Sequence, residues 1–261
     1  MAMLHMSVNK QGISALRLQR LMAFGSYETA LRWLRELRRV MAATNESEKL
    51  SGEVEVDETF IGKTDEGRRG TVGQFIIIGA VEKRGAGCGR TRLRWIRSRD
   101  GDALSGFVED VVEKGSIVLT DGAGGYKYLG AMGFLHDQMA VTDGHGRQLK
   151  TADAKVKSTA HLPQIHRVFS LVGRIVMGAY QGSLSARHLQ GYLDEYCFRF
   201  NRRHAETPFT ICQKIVARTM MSKCMPLWKS RGRTHPDKPT MAQSKEWIKL
   251  GSKLVQVGYV G

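Results

Sequence analysis

The chain has 261 residues, of which 42% are hydrophobic and 25% charged, ordinary values for a globular protein. One large domain, or a catalytic domain with a small appendage, can bury its core at this length without disulfides or zinc. No apolar run approaches the ~18–20 residues of a bilayer span, and Met1 to Lys10 lack a signal-peptide core, so the cytoplasm is the expected compartment. The formal charge of +15 is unevenly spread. Residues 201–261 carry 12 Lys and Arg against 3 Asp and Glu, and residues 1–50 carry 8 against 4, whereas residues 51–200 carry 20 against 18. Basic ends suit a polyanion such as DNA; a solubilising tail is the other reading. Cys88, Cys197, Cys212 and Cys224 form no CxxC pair and the eight histidines no HExxH pattern, which speaks against a structural zinc site.

In chain order, Ser14–Ala23 and Tyr27–Met41 read as two helices about a Phe24-Gly25-Ser26 turn, with Ser26 as N-cap. Such a pair is the pattern of a helix-turn-helix and equally of an ordinary helical hairpin. On the first reading, Arg35 and Arg39 contact DNA. Residues 43–51 are polar and read as a linker. Residues 53–61 alternate polar and apolar as a half-buried strand does, 75–81 form a continuous apolar run, and 91–97 alternate again. With a turn at Gly85 to Gly89, these predict a three-stranded antiparallel meander. An amphipathic helix over 102–113 turns Leu104, Phe107, Val108, Val111 and Val112 inward. A short buried strand, Ile117 to Thr120, ends at Asp121-Gly122. A short helix near Tyr126–Met132 and a strand near Leu135–Val141 follow, then a loop over 142–160. Pro163 opens a helix, Ser185 caps another, and a third spans about Pro208–Met221. Beyond Ser222 the periodicity fades. Trp33, Trp95 and the tyrosines fit core or surface places better than base-stacking platforms.

The chemistry concentrates in two strands. Alternation puts Glu53, Glu55 and Asp57 on one strand face and Val54, Val56 and Glu58 on the other. Three like charges on one face repel, and either a divalent cation or plain solvent exposure must relieve them. Asp121 ends a buried strand, where ligand sites of α/β sheets gather; Asp-Gly also simply makes turns. Two such carboxylates can hold a pair of Mg²⁺ ions ~3.5–4 Å apart over a phosphodiester.

Val54-Glu55-Val56-Asp57-Glu58-Thr59-Phe60-Ile61-Gly62 resembles the first catalytic motif of the DDE transposases of bacterial insertion sequences, in the ISXO-like branch. Leu119-Thr120-Asp121-Gly122 with Tyr126 resembles the second, and the block from His161 to Leu171 the third. Tyr192 to Arg203 is similar to the closing signature. The resemblance runs from about residue 9 to 217. It implies an α/β fold of the RNase H-like type, a mixed sheet flanked by helices, with a small N-terminal helical segment. The implied divisions are a helical DNA-binding remnant over 1–45, the catalytic domain over 46–217 and a basic tail over 218–261. It also implies cleavage of DNA at an element's end and strand transfer into target DNA. Two divalent ions, Mg²⁺ or Mn²⁺, would be held by Asp57 and Asp121, and the chain would act as a homo-oligomer on DNA.

At the third catalytic position relatives often carry Glu where His166 stands. Imidazole suits Mn²⁺ better than Mg²⁺, so His166 is a metal ligand, a group that positions water or touches phosphate, or a helix residue without a role. Glu195 is the alternative third acid, its other job being to pair with Arg199 at i+4. Arg199, Arg202 and Arg203 read as phosphate contacts or as a solvated basic face. Many relatives carry a cysteine-rich zinc ribbon ahead of the helical segment, absent here, and 222–261 resemble no family block. Both features fit a truncated element. The alternative to an active enzyme is therefore a catalytically inactive remnant acting as a DNA-binding protein.

Overall fold

The computed structural model describes residues 2–8, 12–46, 48–62, 74–121, 124–138, 162–179, 185–204 and 207–221. The expected loop over 142–160 and the basic stretch beyond Ser222 lie outside them. No helix among the described residues is long and apolar enough to cross a membrane.

Five strands form one mixed sheet: β1 (Glu53–Ile61), β2 (Phe75–Arg84), β3 (Gly87–Ile96), β4 (Ile117–Thr120) and β5 (Leu135–Gln138), in the order β3-β2-β1-β4-β5. The expected meander is present, with β1, β2 and β3 antiparallel. The hairpin turn is tighter than anticipated, because Gly85 takes a positive φ of 57° and lets β3 begin at Gly87. β4 then returns parallel to β1 on its other side, and β5 runs parallel to β4. This is the RNase H-like arrangement.

Strand alternation explains the two layers. Val54, Val56, Ile78 and Ala80 bury against α4 (Gly101–Val111), together with Leu104, Phe107 and Tyr126. Ile61, Ile77, Val81, Leu93 and Leu119 face the other way, against α5 (Pro163–Ala179) and α6 (Ala186–Asn201). β2 is covered on both faces, which is why it reads as an unbroken apolar run. Asp100 caps α4 by accepting from the Ala103 amide at 2.8 Å. Val112 is not helical as expected; it is extended and bridges to Leu50. The helix anticipated at 126–132 is a single 3-10 turn, Gly124–Tyr126, followed by further turns.

Three helices precede the sheet: α1 (Ala2–Val8), α2 (Ala15–Met22) and α3 (Tyr27–Glu46). Ser14 and Ser26 cap α2 and α3, accepting from the amides of Arg17 and Thr29. The expected linker over 43–51 is partly helix, since α3 continues to Glu46. Tertiary bonds hold that extra turn: the Asn45 amide donates to the Asp194 carbonyl at 3.0 Å, and Arg92 donates to the Asn45 carbonyl. The three helices share a hydrophobic cluster with Phe198 of α6 and Ile215 of α7 (Pro208–Met221). Ser185 stands at the start of α6, but its hydroxyl makes no cap; its carbonyl accepts from His188 and Leu189 instead.

β3 is an edge strand, and α6 closes it. The side-chain amide of Gln190 accepts from the Trp95 N–H and donates to the Leu93 carbonyl. That of Asn201 accepts from the Thr91 N–H and donates to the Thr91 carbonyl. Two amides thus occupy backbone groups that would otherwise invite another strand.

Candidate functional site

The three acids on one face of β1 are each met differently. Glu53 is partly exposed and bonds Lys83 at 2.8 Å. Glu55 is fully buried, and its Oε2 accepts from the backbone amides of Gln164 and Ile165 at 2.8 and 2.9 Å. Those amides open α5, where N–H groups lack partners within their own helix and the dipole favours negative charge. Burial pushes the Glu55 carboxyl up, against the pull of these two bonds. The Gln164 side chain ties the same turn to the β2–β3 hairpin, donating to the Ala86 carbonyl and accepting from the Cys88 thiol.

Asp57 is 6% exposed. Its Oδ1 accepts from the Glu58 amide at 2.8 Å, and its Oδ2 lies 3.3 Å from His166 Nε2. Burial raises its pKa to about 7, and the neighbouring charges of Asp121 and Glu58 add to the rise. The parallel register of β1 and β4 pairs Glu53 with Ile117 and Glu55 with Leu119. Asp121 follows the end of β4 on that side of β1, near enough for its charge to act on Asp57. His166 comes from the first turn of α5, over the same strand ends.

A glycine lets that helix approach. Gly79 pairs across β2 with Asp57. A Cβ there would stand 2.8 Å from both Phe169 and Leu93 and 2.9 Å from Ile165. Without one, α5 rests low on the sheet and carries His166 to Asp57.

The remaining sequence candidates lie elsewhere. Glu195 is fully buried on α6, bonded to Arg38 of α3 at 2.8 Å and near Arg199 at 3.5 Å. Arg202 stacks on Phe198 and donates to its carbonyl, while Arg203 donates to the carbonyls of Cys88, Gly89 and Phe200. Arg35 faces His188 at 3.3 Å, and Arg39 is exposed and paired with Glu36. Sequence reasoning missed Glu55 and Gln164 as the pair that anchors α5. It also missed Arg99, which bonds Glu58 at 2.7 Å. The strict alternation of β1 was the available signal for Glu55; nothing local marks Arg99.

A family model described as the ISXO2-like transposase domain matches residues 49–201. The chain belongs to this family. No curated relative matches the chain. The matched span holds the whole sheet with α4, α5 and α6, and so includes every residue of the Asp57 cluster. Among the described residues of this transposase domain, no group of three or more histidine, cysteine, aspartate or glutamate side chains is placed to hold a metal ion. The residue types gathered around Asp57, carboxylates with an imidazole beside them, are nonetheless of the kind that divalent ions take. A buried carboxylate beside a second one is held uncharged up to near neutral pH by its surroundings, and a cation between them removes that cost.

Proposed function

We propose that the chain is a DDE-type transposase that cleaves DNA at an element's ends and joins the freed strand to target DNA. Asp57, Asp121 and His166 are its catalytic residues. The observation that carries this reading is the convergence of β1, β4 and the first turn of α5, with His166 3.3 Å from Asp57 and Asp121 pressing its charge on the same carboxylate.

Two carboxylate groups and one imidazole would hold divalent ions here. When bound, such ions lower the pKa of water and neutralise charge on the attacking and leaving oxygens. Asp57 within β1 and Asp121 directly after β4 would hold the donor oxygens on a fixed sheet, so little reorganisation is needed as the phosphorus is attacked. His166 adds a nitrogen donor, which favours Mn²⁺ at least as much as Mg²⁺. In the first step water attacks the phosphorus, the P–O3′ bond breaks and a 3′-hydroxyl is released. In the second, that 3′-oxygen attacks a target phosphorus and displaces the target's own 3′-oxygen. No covalent enzyme intermediate is needed.

The basic segments at both ends of the chain supply attraction for DNA. We place the DNA contacts first on the exposed Arg39 and the half-buried Arg35. Arg199, Arg202 and Arg203 act as supports whose guanidinium groups already bond within the chain.

The test measures nicking of supercoiled plasmid, and joining of DNA with 3′-OH ends, in Mg²⁺ and in Mn²⁺. Asp57→Asn, Asp121→Asn and His166→Ala should each fold and lose nicking. If His166→Ala cleaves at the parent rate while a folded Glu195→Gln does not, the third catalytic residue is Glu195. A parent chain that binds DNA but never nicks it is a binding remnant.

A further inference from the structure

The α4 side of the same strand ends carries a second cluster. Glu58 points away from Asp57 to the opposite face of the sheet, and its side chain is 1% exposed. Both of its oxygens are engaged. Tyr126, fully buried, donates its hydroxyl to Oε1. Arg99 donates to Oε2 through Nη2 at 2.7 Å and Nε at 3.2 Å. Burial and the nearby acids raise the Tyr126 phenol well above its usual range, so it remains a proton donor.

Arg99 itself is not buried. It lies between β3 and α4, its side chain is 44% exposed, and its guanidinium sits 5.9 Å from the Phe60 ring centre. Its Nη1 bonds to none of the described residues. It lies near enough for its charge to be felt at Asp57 and at Asp121. His166 therefore approaches the strand ends from the α5 side and Arg99 from the α4 side. A surface arginine placed for solubility alone has no need of a buried carboxylate and a buried phenol beneath it. Here two nitrogens are fixed from below, and the outer edge of the fork is left for an anion.

Resting on the transposase reading above, we propose that Arg99 is a further catalytic residue, binding a non-bridging oxygen of the scissile phosphodiester, with Glu58 and Tyr126 as positioning residues that hold its guanidinium. Phosphoryl transfer spreads negative charge over the equatorial oxygens. A planar, permanently charged fork can bridge Glu58 and one of those oxygens at once, which a lysine ammonium cannot reproduce. No proton moves to or from Arg99.

The experiment measures nicking of supercoiled plasmid by the full chain in Mn²⁺, over a range of DNA concentrations. Arg99→Ala should lower the rate at saturating DNA by ~100-fold, the usual loss for one preorganised donor. The half-saturating concentration should move by less than about threefold, as for an interaction made in the transition state. Arg99→Lys should recover little. Guanidinium ion at millimolar concentration should restore part of the Arg99→Ala rate and none of the Asp57→Asn rate. Because Arg99→Ala strands a buried Glu58, the double variant Arg99→Ala with Glu58→Gln is measured beside it. That variant should melt like the parent yet remain slow and respond to guanidinium. Glu58→Gln alone should lower the saturating rate without shifting half-saturation. A loss confined to half-saturation and cured by low salt overturns the proposal, as does a parent rate in Arg99→Ala or in the double variant. If Asp57→Asn abolishes nicking and Arg99→Ala does not, this inference alone fails. If the parent nicks with no divalent ion, the transposase reading fails and this inference with it.

Discussion

Asp57 and Glu195 are both buried acids in motif blocks of one domain, and their surroundings are opposite. Glu195 is closed in by Arg38 and Arg199, linking α6 to the N-terminal helix α3. Asp57 has Asp121 and Glu58 as its charged neighbours of like sign, with the field of Arg99 opposing more weakly. A structural acid has its charge balanced by fixed partners, so removing it costs stability. On the proposed reading Asp57 is an acid left imbalanced until something outside the chain balances it, so removing it relieves strain.

The largest effect expected from this contrast is on Glu195. Glu195→Ala leaves Arg38 buried without its carboxylate and should destabilise the fold by about 3–5 kcal/mol, as breaking buried pairs does. Urea denaturation measures it, and an unchanged midpoint would dissolve the contrast.

Asp57→Asn should act in the other direction. The folded pKa of Asp57 is about 7, above its ordinary 3.8. Between these values the folded state binds more protons than the unfolded chain, so stability falls as pH rises from about 4 to about 7. Asp57→Asn removes that fall. Its advantage over the parent should be absent near pH 4, grow through this window, and level off above pH 7 at no more than about 4 kcal/mol, from ~1.4 kcal/mol for each pH unit. Mg²⁺ or Mn²⁺ should cancel the difference by stabilising the parent, by ~2.7 kcal/mol at a hundredfold excess over Kd. Equal melting temperatures of parent and variant across the pH range, without metal, would count against a raised Asp57.

The smallest effect tests how the two halves of the site meet. Gly79→Val should cost about 1–3 kcal/mol, the range for an overpacked core. It should also slow nicking disproportionately, because Phe169 and Ile165 must move and carry His166 with them. A stability loss with parent nicking at permissive temperature would mean that the height of α5 above the sheet does not matter.

Much of the sheet was legible in the sequence. The alternation of Val54 and Val56 with Glu55 and Asp57 identified the two faces of β1, and the unbroken run of β2 identified a strand covered on both. Helix starts at Ser14, Ser26 and Pro163 were legible because caps are local. Ser185 marks a helix start too, but whether its hydroxyl bonds depends on a rotamer that no periodicity reports. The repulsion of three acids on β1 was also visible, while its relief was not. For Glu55 the relief is a helix that begins more than a hundred residues later.

The sequence by itself determined which residues can carry the chemistry and which strand faces are apolar, because side-chain period and residue type are local properties. It also determined the family, through the order of four motif blocks. The tertiary structure decided which carboxylates meet. The parallel return of β4 brings Asp121 near enough for its charge to act on Asp57, and the bare surface at Gly79 lets α5 bring down His166. Packing also assigned Glu195 to Arg38 and spent Arg202 and Arg203 on nearby backbone carbonyls. An ionisable group's role follows from the charges and dipoles around it, and those are fixed by long-range packing.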